Sequence, residues 1–184
     1  MKQGNNDIEL IKANIDTGRE AIKGKVNDCE ANAVLFLGNS GAGKTTLINY
    51  LIGNKLKIIK QGFPPKKVLE AEKSIDSLKI GHKISSETTL PNIWSALKYQ
   101  NKEIALWDCP RFGDNRGVVQ DISNSYYLKM LFDQYKHRRI VMTILENSFE
   151  GRGENFLRLI TSFTALFGDG SYKKGLHSNH EIYF

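Results

Sequence analysis

Residues 33 to 46 read Ala33-Val34-Leu35-Phe36-Leu37-Gly38-Asn39-Ser40-Gly41-Ala42-Gly43-Lys44-Thr45-Thr46, and their reading decides the fold. Ala33 to Leu37 is an unbroken apolar run, the pattern of a parallel strand covered on both faces. Gly38 to Thr45 fills the pattern G-x-x-x-x-G-K-[ST]. Gly41 and Gly43 can take positive φ and leave room for a bulky anion. Lys44 to Ile52 then reads as a helix stopped by Gly53. A strand that turns through glycines into a helix points its backbone N–H groups inward, and the helix adds the positive end of its dipole. The stretch predicts a phosphate cradle built by Asn39, Ser40, Gly41, Ala42, Gly43, Lys44, Thr45 and Thr46. Within it Lys44 reaches the β- and γ-phosphates of a nucleotide, the Thr45 hydroxyl ligates Mg2+, and Thr46 sits near the α-phosphate.

Outward from the loop, helices and strands alternate. Asp7 to Asp28 reads as a helix, with Ile8, Ile11, Ile15, Ile22 and Val26 at helical spacing and Gly18 and Gly24 against it. It is either a surface helix packed on the domain or a helix that meets a partner. Asn54 to Glu72 reads as a loop or insert carrying Pro64, Pro65 and the lysines 55, 57, 60, 66 and 67. A solvated basic segment is its default, and contact of Lys55 to Lys67 with an acidic membrane surface, or with nucleic acid, is the alternative. Ile93 to Tyr99 and Glu103 to Trp107 read as two strands joined by a short turn. Helices are expected at Asp121 to Tyr135 and Asn155 to Phe167, with a buried strand at Ile140 to Leu145. His137, Arg138 and Arg139 read as the basic end of the first of these helices. The alternation predicts a three-layer α/β fold with a mostly parallel sheet and one antiparallel hairpin.

A second motif follows the strand ending at Trp107: Asp108-Cys109-Pro110-Arg111-Phe112-Gly113-Asp114. An acid at the end of a buried strand is where nucleotide-binding α/β proteins hold Mg2+, directly or through water. Between the two motifs, Gly81 to Asn92 is rich in Ser and Thr. Together these segments resemble the septin, immunity-associated and chloroplast-import GTPases. Those families carry a phosphate loop, a switch threonine, and Asp-Thr-Pro-Gly followed by an aromatic or aliphatic residue and an acid. The resemblance spans about Ala33 to Leu145. It implies a G-domain-like fold, Mg2+ and GTP or GDP as ligands, and Thr88 or Thr89, with Thr88 preferred, closing over the metal and the γ-phosphate. The metal residues expected are Thr45, Thr88 and Asp108, and the catalytic residues are Lys44, Thr88 and, through a guanidinium folded back on the γ-phosphate, Arg111.

The chain departs from that pattern twice. Arg111 stands where the families have glycine, which keeps the N–H for the γ-phosphate but removes conformational freedom. No Asn/Thr-Lys-x-Asp tetrad, which would read guanine, follows Phe167, and the residues after Phe167 read as too few for a strand, that loop and a closing helix. ATP therefore remains open beside GTP. The expected organisation is an N-terminal helix in residues 1–30 and a nucleotide-binding domain in 31–184, incomplete or divergent after about 168.

The bulk properties agree with a globular chain: 184 residues, 40% hydrophobic and 25% charged. A net charge of +6 suits a polyphosphate ligand, nucleic acid or an anionic membrane and does not choose among them. No specific nucleic acid is expected. Two cysteines, Cys29 and Cys109, are too few for a disulfide framework, and a reduced cytoplasmic protein is the expectation. His177 and His180 lack the further ligands of a zinc set. Glu146 to Glu154 reads as a polar connection, with Arg152 available to a partner. The reading as a whole is a Mg2+-dependent guanine-nucleotide switch with slow hydrolysis, since no residue stands out for orienting water. Its rivals are a non-hydrolysing scaffold, with a homodimer across the nucleotide site, and an ATPase.

Overall fold

β1 (Asn32–Gly38) lies at the centre of the main sheet, between β5 (Lys102–Asp108) and β6 (His137–Thr143) and parallel to both. The computed structural model describes residues 2–26, 32–73, 90–99, 102–111, 117–150, 153–177 and 182–183. Thr88, Thr89, Phe112 to Asp114, Arg152 and His180 lie outside the described residues. Among those described, the main sheet has the order β4-β5-β1-β6-β7, with β4 spanning Asn92–Tyr99 and β7 Ile182–Tyr183. The β4–β5 pair is antiparallel and the others are parallel. This is the mixed, mostly parallel sheet with one hairpin that the alternation predicts.

Strand periodicity sorts β1 between two cores. Ala33, Leu35 and Leu37 enter one cluster with Trp107, Leu128, Leu131, Tyr127, Ile140 and Phe163. Phe36 enters another with Ile48 and Leu106, and Val34 packs against it. The first layer is α3 (Val118–Gln134) with α4 (Glu154–His177), and the opposite layer is α2 (Lys44–Leu51). Two helical layers around one sheet make the three-layer α/β fold. Each fully buried Leu in these clusters contributes about 1.5–3 kcal/mol of transfer free energy. Trp107, fully buried, donates Nε1–H to the Tyr135 hydroxyl at 2.9 Å, so its polar atom is satisfied inside the core.

The N-terminal helix α1 (Lys2–Val26) lies on α3. Gly18 is the closest point: a Cβ there would stand 2.0 Å from Tyr127 Cε1. The Tyr127 hydroxyl donates to Asn14 O at 2.6 Å, and Ile22 is fully buried in the larger core. Gly18, read in sequence as a weakness of the helix, is what lets an aromatic ring approach its backbone.

Several boundaries differ from the reading of the sequence. Asn54 to Glu72 is a two-stranded antiparallel ribbon, β2 (Leu56–Gln61) and β3 (Lys66–Ala71), and not a loop. His137 to Arg139 do not end a helix; they open β6, paired with Asn32 to Val34. The helix before them stops earlier because Tyr135 is extended, with φ −96° and ψ 129°. Arg138 then lies over the Phe132 ring at 3.8 Å and donates Nη1–H to Tyr135 O at 2.6 Å. The residues after Phe167 continue α4 and then supply the strand β7, whose Ile182 pairs with Ile140. No helix among the described residues is long and apolar enough to cross a membrane.

Candidate functional site

The first turn of α2 starts at Gly43, whose φ of 87° is open to glycine and costly for other residues. No side chain caps this helix start. Its first N–H groups therefore face the loop with no capping side chain, the arrangement that attracts an anion. Gly41 is also left-handed, with φ 77°. A Cβ built on Gly41 or Gly43 would meet no atom within 4 Å, so the space over the loop is open. Gly38 is different. A Cβ there would collide with Thr143 O at 2.2 Å and Thr143 Oγ1 at 2.6 Å. Gly38 is needed for the close approach of β1 and β6, and Gly41 and Gly43 for the shape of the cradle.

Lys44 is buried, and its ammonium donates to Gly38 O at 2.9 Å and Asn39 O at 3.2 Å. The loop carbonyls thus hold the cation at the mouth of the cradle. Burial lowers its pKa, and Arg111 adds to that, against the raising influence of Asp108 and Cys109. Arg111 therefore stands close enough for its charge to be felt at Lys44.

Parallel pairing sets Asp108 beside Phe36, so the end of β5 arrives next to the loop. Thr45 Oγ1 donates to Asp108 Oδ2 at 2.5 Å. Asp108 is 2% exposed, and its Oδ1 has no hydrogen-bond partner among the described residues. Burial raises its pKa, opposed by the Thr45 hydrogen bond and the Lys44 charge. Lys44 and Asp108 favour each other's ionised forms, yet burial outweighs that attraction at both. A buried carboxylate oxygen without a donor and a hydroxyl whose proton goes to that carboxylate are hard oxygen ligands for a small cation. Mg2+ commonly takes one or two protein oxygens and completes its shell with phosphate and water. Thr45 and Asp108 fit that demand. Among the described residues no group of three His, Cys, Asp or Glu side chains stands ready to hold a metal by itself.

No family model matches the chain, and no curated protein matches it either. Among solved structures it is similar to the G domain of the T. maritima FeoB iron transporter, at 16% identity over 83% of this chain and 86% of that one. The TM-score is 0.28, too low a superposition to carry weight.

The structure brings Lys44, Thr45, Asp108 and Arg111 to one place. Asn39, Ser40 and Thr46 lie on or just beyond the loop and are partly buried. Cys109 is fully buried against the sheet, its thiol pushed up by burial, and its N–H donates to Phe36 O at 3.3 Å. It helps position Asp108 and is not poised as a nucleophile.

Three supporting residues escaped the sequence reading. Asn49, fully buried on α2, donates to Thr45 O at 2.8 Å. Asn54 donates Nδ2–H to Asn49 Oδ1 at 2.8 Å and to Lys73 O at 3.0 Å, and accepts from Lys73 N–H at 3.4 Å. Asn124 on α3 donates to Arg111 O at 3.3 Å. No short motif announces such residues; a buried Asn is visible only once its partners converge.

Proposed function

We propose that this chain binds GTP or GDP with Mg2+ and acts as a nucleotide switch with slow GTP hydrolysis. The observation that carries the proposal is the convergence at an uncapped helix start. Lys44 is held by the loop carbonyls, Thr45 donates to Asp108, and Asp108 keeps a buried oxygen free of donors. A polyphosphate with its metal answers each of these features. The anion meets the helix N–H groups and Lys44, and the cation meets Thr45 and Asp108.

Mg2+, when bound, offsets negative charge on the phosphate oxygens. The chain's own residues do the rest. The loop from Asn39 to Thr46 fixes the phosphates by backbone N–H groups. Lys44 exchanges its carbonyl partners for phosphate oxygens. Asp108 accepts the hydrogen bond of the Thr45 hydroxyl, whose lone pairs would then be free to hold the metal. Thr88 is proposed to close over the γ-phosphate. The preference for guanine rests on the resemblance of the Asp108-Cys109-Pro110 segment to GTPases. Slow turnover follows from the lack of an evident residue to orient the attacking water.

A second reading, a nucleotide-bound scaffold without hydrolysis, has one observation in its favour. Arg111 replaces the expected glycine, and its carbonyl is tied to Asn124. Chromatography of nucleotide released from the purified protein tests the base: guanine is expected. Titration with a fluorescent triphosphate analogue tests the loop. Lys44→Ala should weaken affinity at least about tenfold, since it removes a charge-assisted contact to several oxygens. Unchanged affinity would overturn the proposal, and release of no guanine nucleotide, together with no preference for GTP over ATP, would overturn the guanine assignment.

A further inference from the structure

In the ribbon of β2 and β3 no residue is buried. Cross-strand register sorts its side chains onto two faces. On one face Lys57 pairs with Glu70 at 3.1 Å, and Ile59 lies opposite Val68, both half-buried. On the other, Ile58 stands opposite Leu69, exposed at 67% and 43%, and Lys60 stands opposite Lys67. Like charges directly opposite destabilise a strand pair. Among the described residues neither Lys60 nor Lys67 has an acidic partner, and both are exposed. Just beyond this lysine pair the turn Gly62-Phe63-Pro64-Pro65 presents Phe63 wholly to solvent, at 102%.

The ribbon thus ends in an aromatic wedge collared by Lys60, Lys66 and Lys67, with no acid between residues 60 and 67. Ile58 and Leu69 continue the face of Lys60 and Lys67, while Lys66 lies on the other face. We propose that this tip docks on an anionic lipid surface. Phe63 would enter the headgroup region and the lysines would lie along the phosphates and carboxylates, their stems covering apolar contact. The composition favours lipid over nucleic acid. The collar holds lysines only, with no arginine to pair phosphates in bidentate fashion or stack on bases, and one aromatic ring makes no base-stacking platform. The inference is independent of the nucleotide reading, because it uses no residue of the phosphate loop.

The test is sedimentation of the full chain with phosphatidylcholine vesicles, with and without phosphatidylserine. Binding is expected only with phosphatidylserine and should weaken as salt rises. The double variant Lys60→Glu/Lys67→Glu should bind roughly tenfold more weakly or less well still. Phe63→Ala, which keeps the charge, should bind roughly fivefold more weakly. All three side chains are exposed, so both variants should keep the wild-type circular dichroism spectrum. Equal binding to neutral vesicles would overturn the proposal. So would retention of binding by the charge-reversed variant, or capture of a single-stranded oligonucleotide by a protein that ignores the anionic vesicles.

Discussion

Thr45 Oγ1 and Asp108 Oδ2 lie 2.5 Å apart, one from the first turn of α2 and the other from the last residue of β5. Parallel pairing of β1 with β5 makes the contact, because it ends the two strands side by side. The bond satisfies one oxygen of a carboxylate that burial drives toward its neutral form. The other oxygen is left for a ligand.

Two substitutions at this contact should act in different ways. Thr45→Val leaves Asp108 Oδ2 without its donor and should lower ligand-free stability by about 1–3 kcal/mol. Asp108→Asn removes a buried charge and should leave the urea midpoint in EDTA unchanged or raised. The same variant should bind Mg2+-triphosphate at least about tenfold more weakly. A clear loss of ligand-free stability in Asp108→Asn would mean that the carboxylate holds the fold and not a cation.

The loop glycines should separate folding from binding. Gly38→Ala forces a methyl into Thr143 backbone and should cost roughly 2–4 kcal/mol in chemical denaturation. Gly41→Ala and Gly43→Ala meet no atom, and their cost is the positive φ, about 1–2 kcal/mol each. Those methyls would point into the space a phosphate needs. Nucleotide titration should therefore show the larger loss at Gly41 and Gly43, and unfolding the larger loss at Gly38.

What was legible in the sequence is what has one dominant physical cause. The apolar run Ala33 to Leu37 suits a strand buried on both faces, and the glycine pattern after it suits a phosphate-loop turn into a helix. The ribbon Leu56 to Ala71 was not legible, because no residue in it is buried and lysines interrupt its alternation. His137 to Arg139 misled for a related reason. Basic residues after a helix fit a helix end, and only the pairing with Asn32 to Val34 makes them a strand. Gly18 carried a meaning that needs Tyr127 to be seen. The Asp108 motif was readable, but the Asn49–Asn54 pair behind the loop was not, since hydrogen bonding between buried amides leaves no spacing rule.

The contact of α1 with α3 should be fragile at one point. Gly18→Ala places a methyl against the Tyr127 ring and should lower stability by about 1–3 kcal/mol. Tyr127→Phe loses only the bond to Asn14 O, about 1 kcal/mol. Thermal unfolding would rank the two. Equal losses would mean that the helices separate without cost and that the hydroxyl, not the close approach, fastens α1.

The root of the ribbon hangs on Asn54. Asn54→Ala removes its bonds to Asn49 and Lys73 and leaves Asn49 Oδ1 without that donor. A loss of about 1–3 kcal/mol is expected. Amide hydrogen exchange should quicken in Leu56 to Ala71 and in the second turn of α2, and stay unchanged in β1 and β6. Unchanged exchange in the ribbon would show that it is fastened elsewhere.

If the chain is the nucleotide switch proposed above, Arg111 decides how far its loop moves. Glycine at this position lets the backbone bring its N–H to a γ-phosphate from more than one starting conformation. Arginine restricts φ to negative values without strain. Asn124 adds a second restraint by donating to the Arg111 carbonyl, and Gln120 in turn holds Asn124 at 2.8 Å. The opposing effect is the guanidinium charge, which would favour a polyanion. That charge is felt at Lys44 less than burial, Asp108 or Cys109. The restraint should therefore win. Arg111→Gly is expected to raise the rate of single-turnover phosphate release, or the affinity ratio of tri- over diphosphate, by about two- to fivefold, the scale of glycine's backbone freedom. Asn124→Ala should move the same quantities in the same direction while keeping the charge, and Arg111→Lys should change little. A fall in rate for Arg111→Gly, with the wild-type rate kept by Arg111→Lys, would show instead that the cation acts on the phosphates.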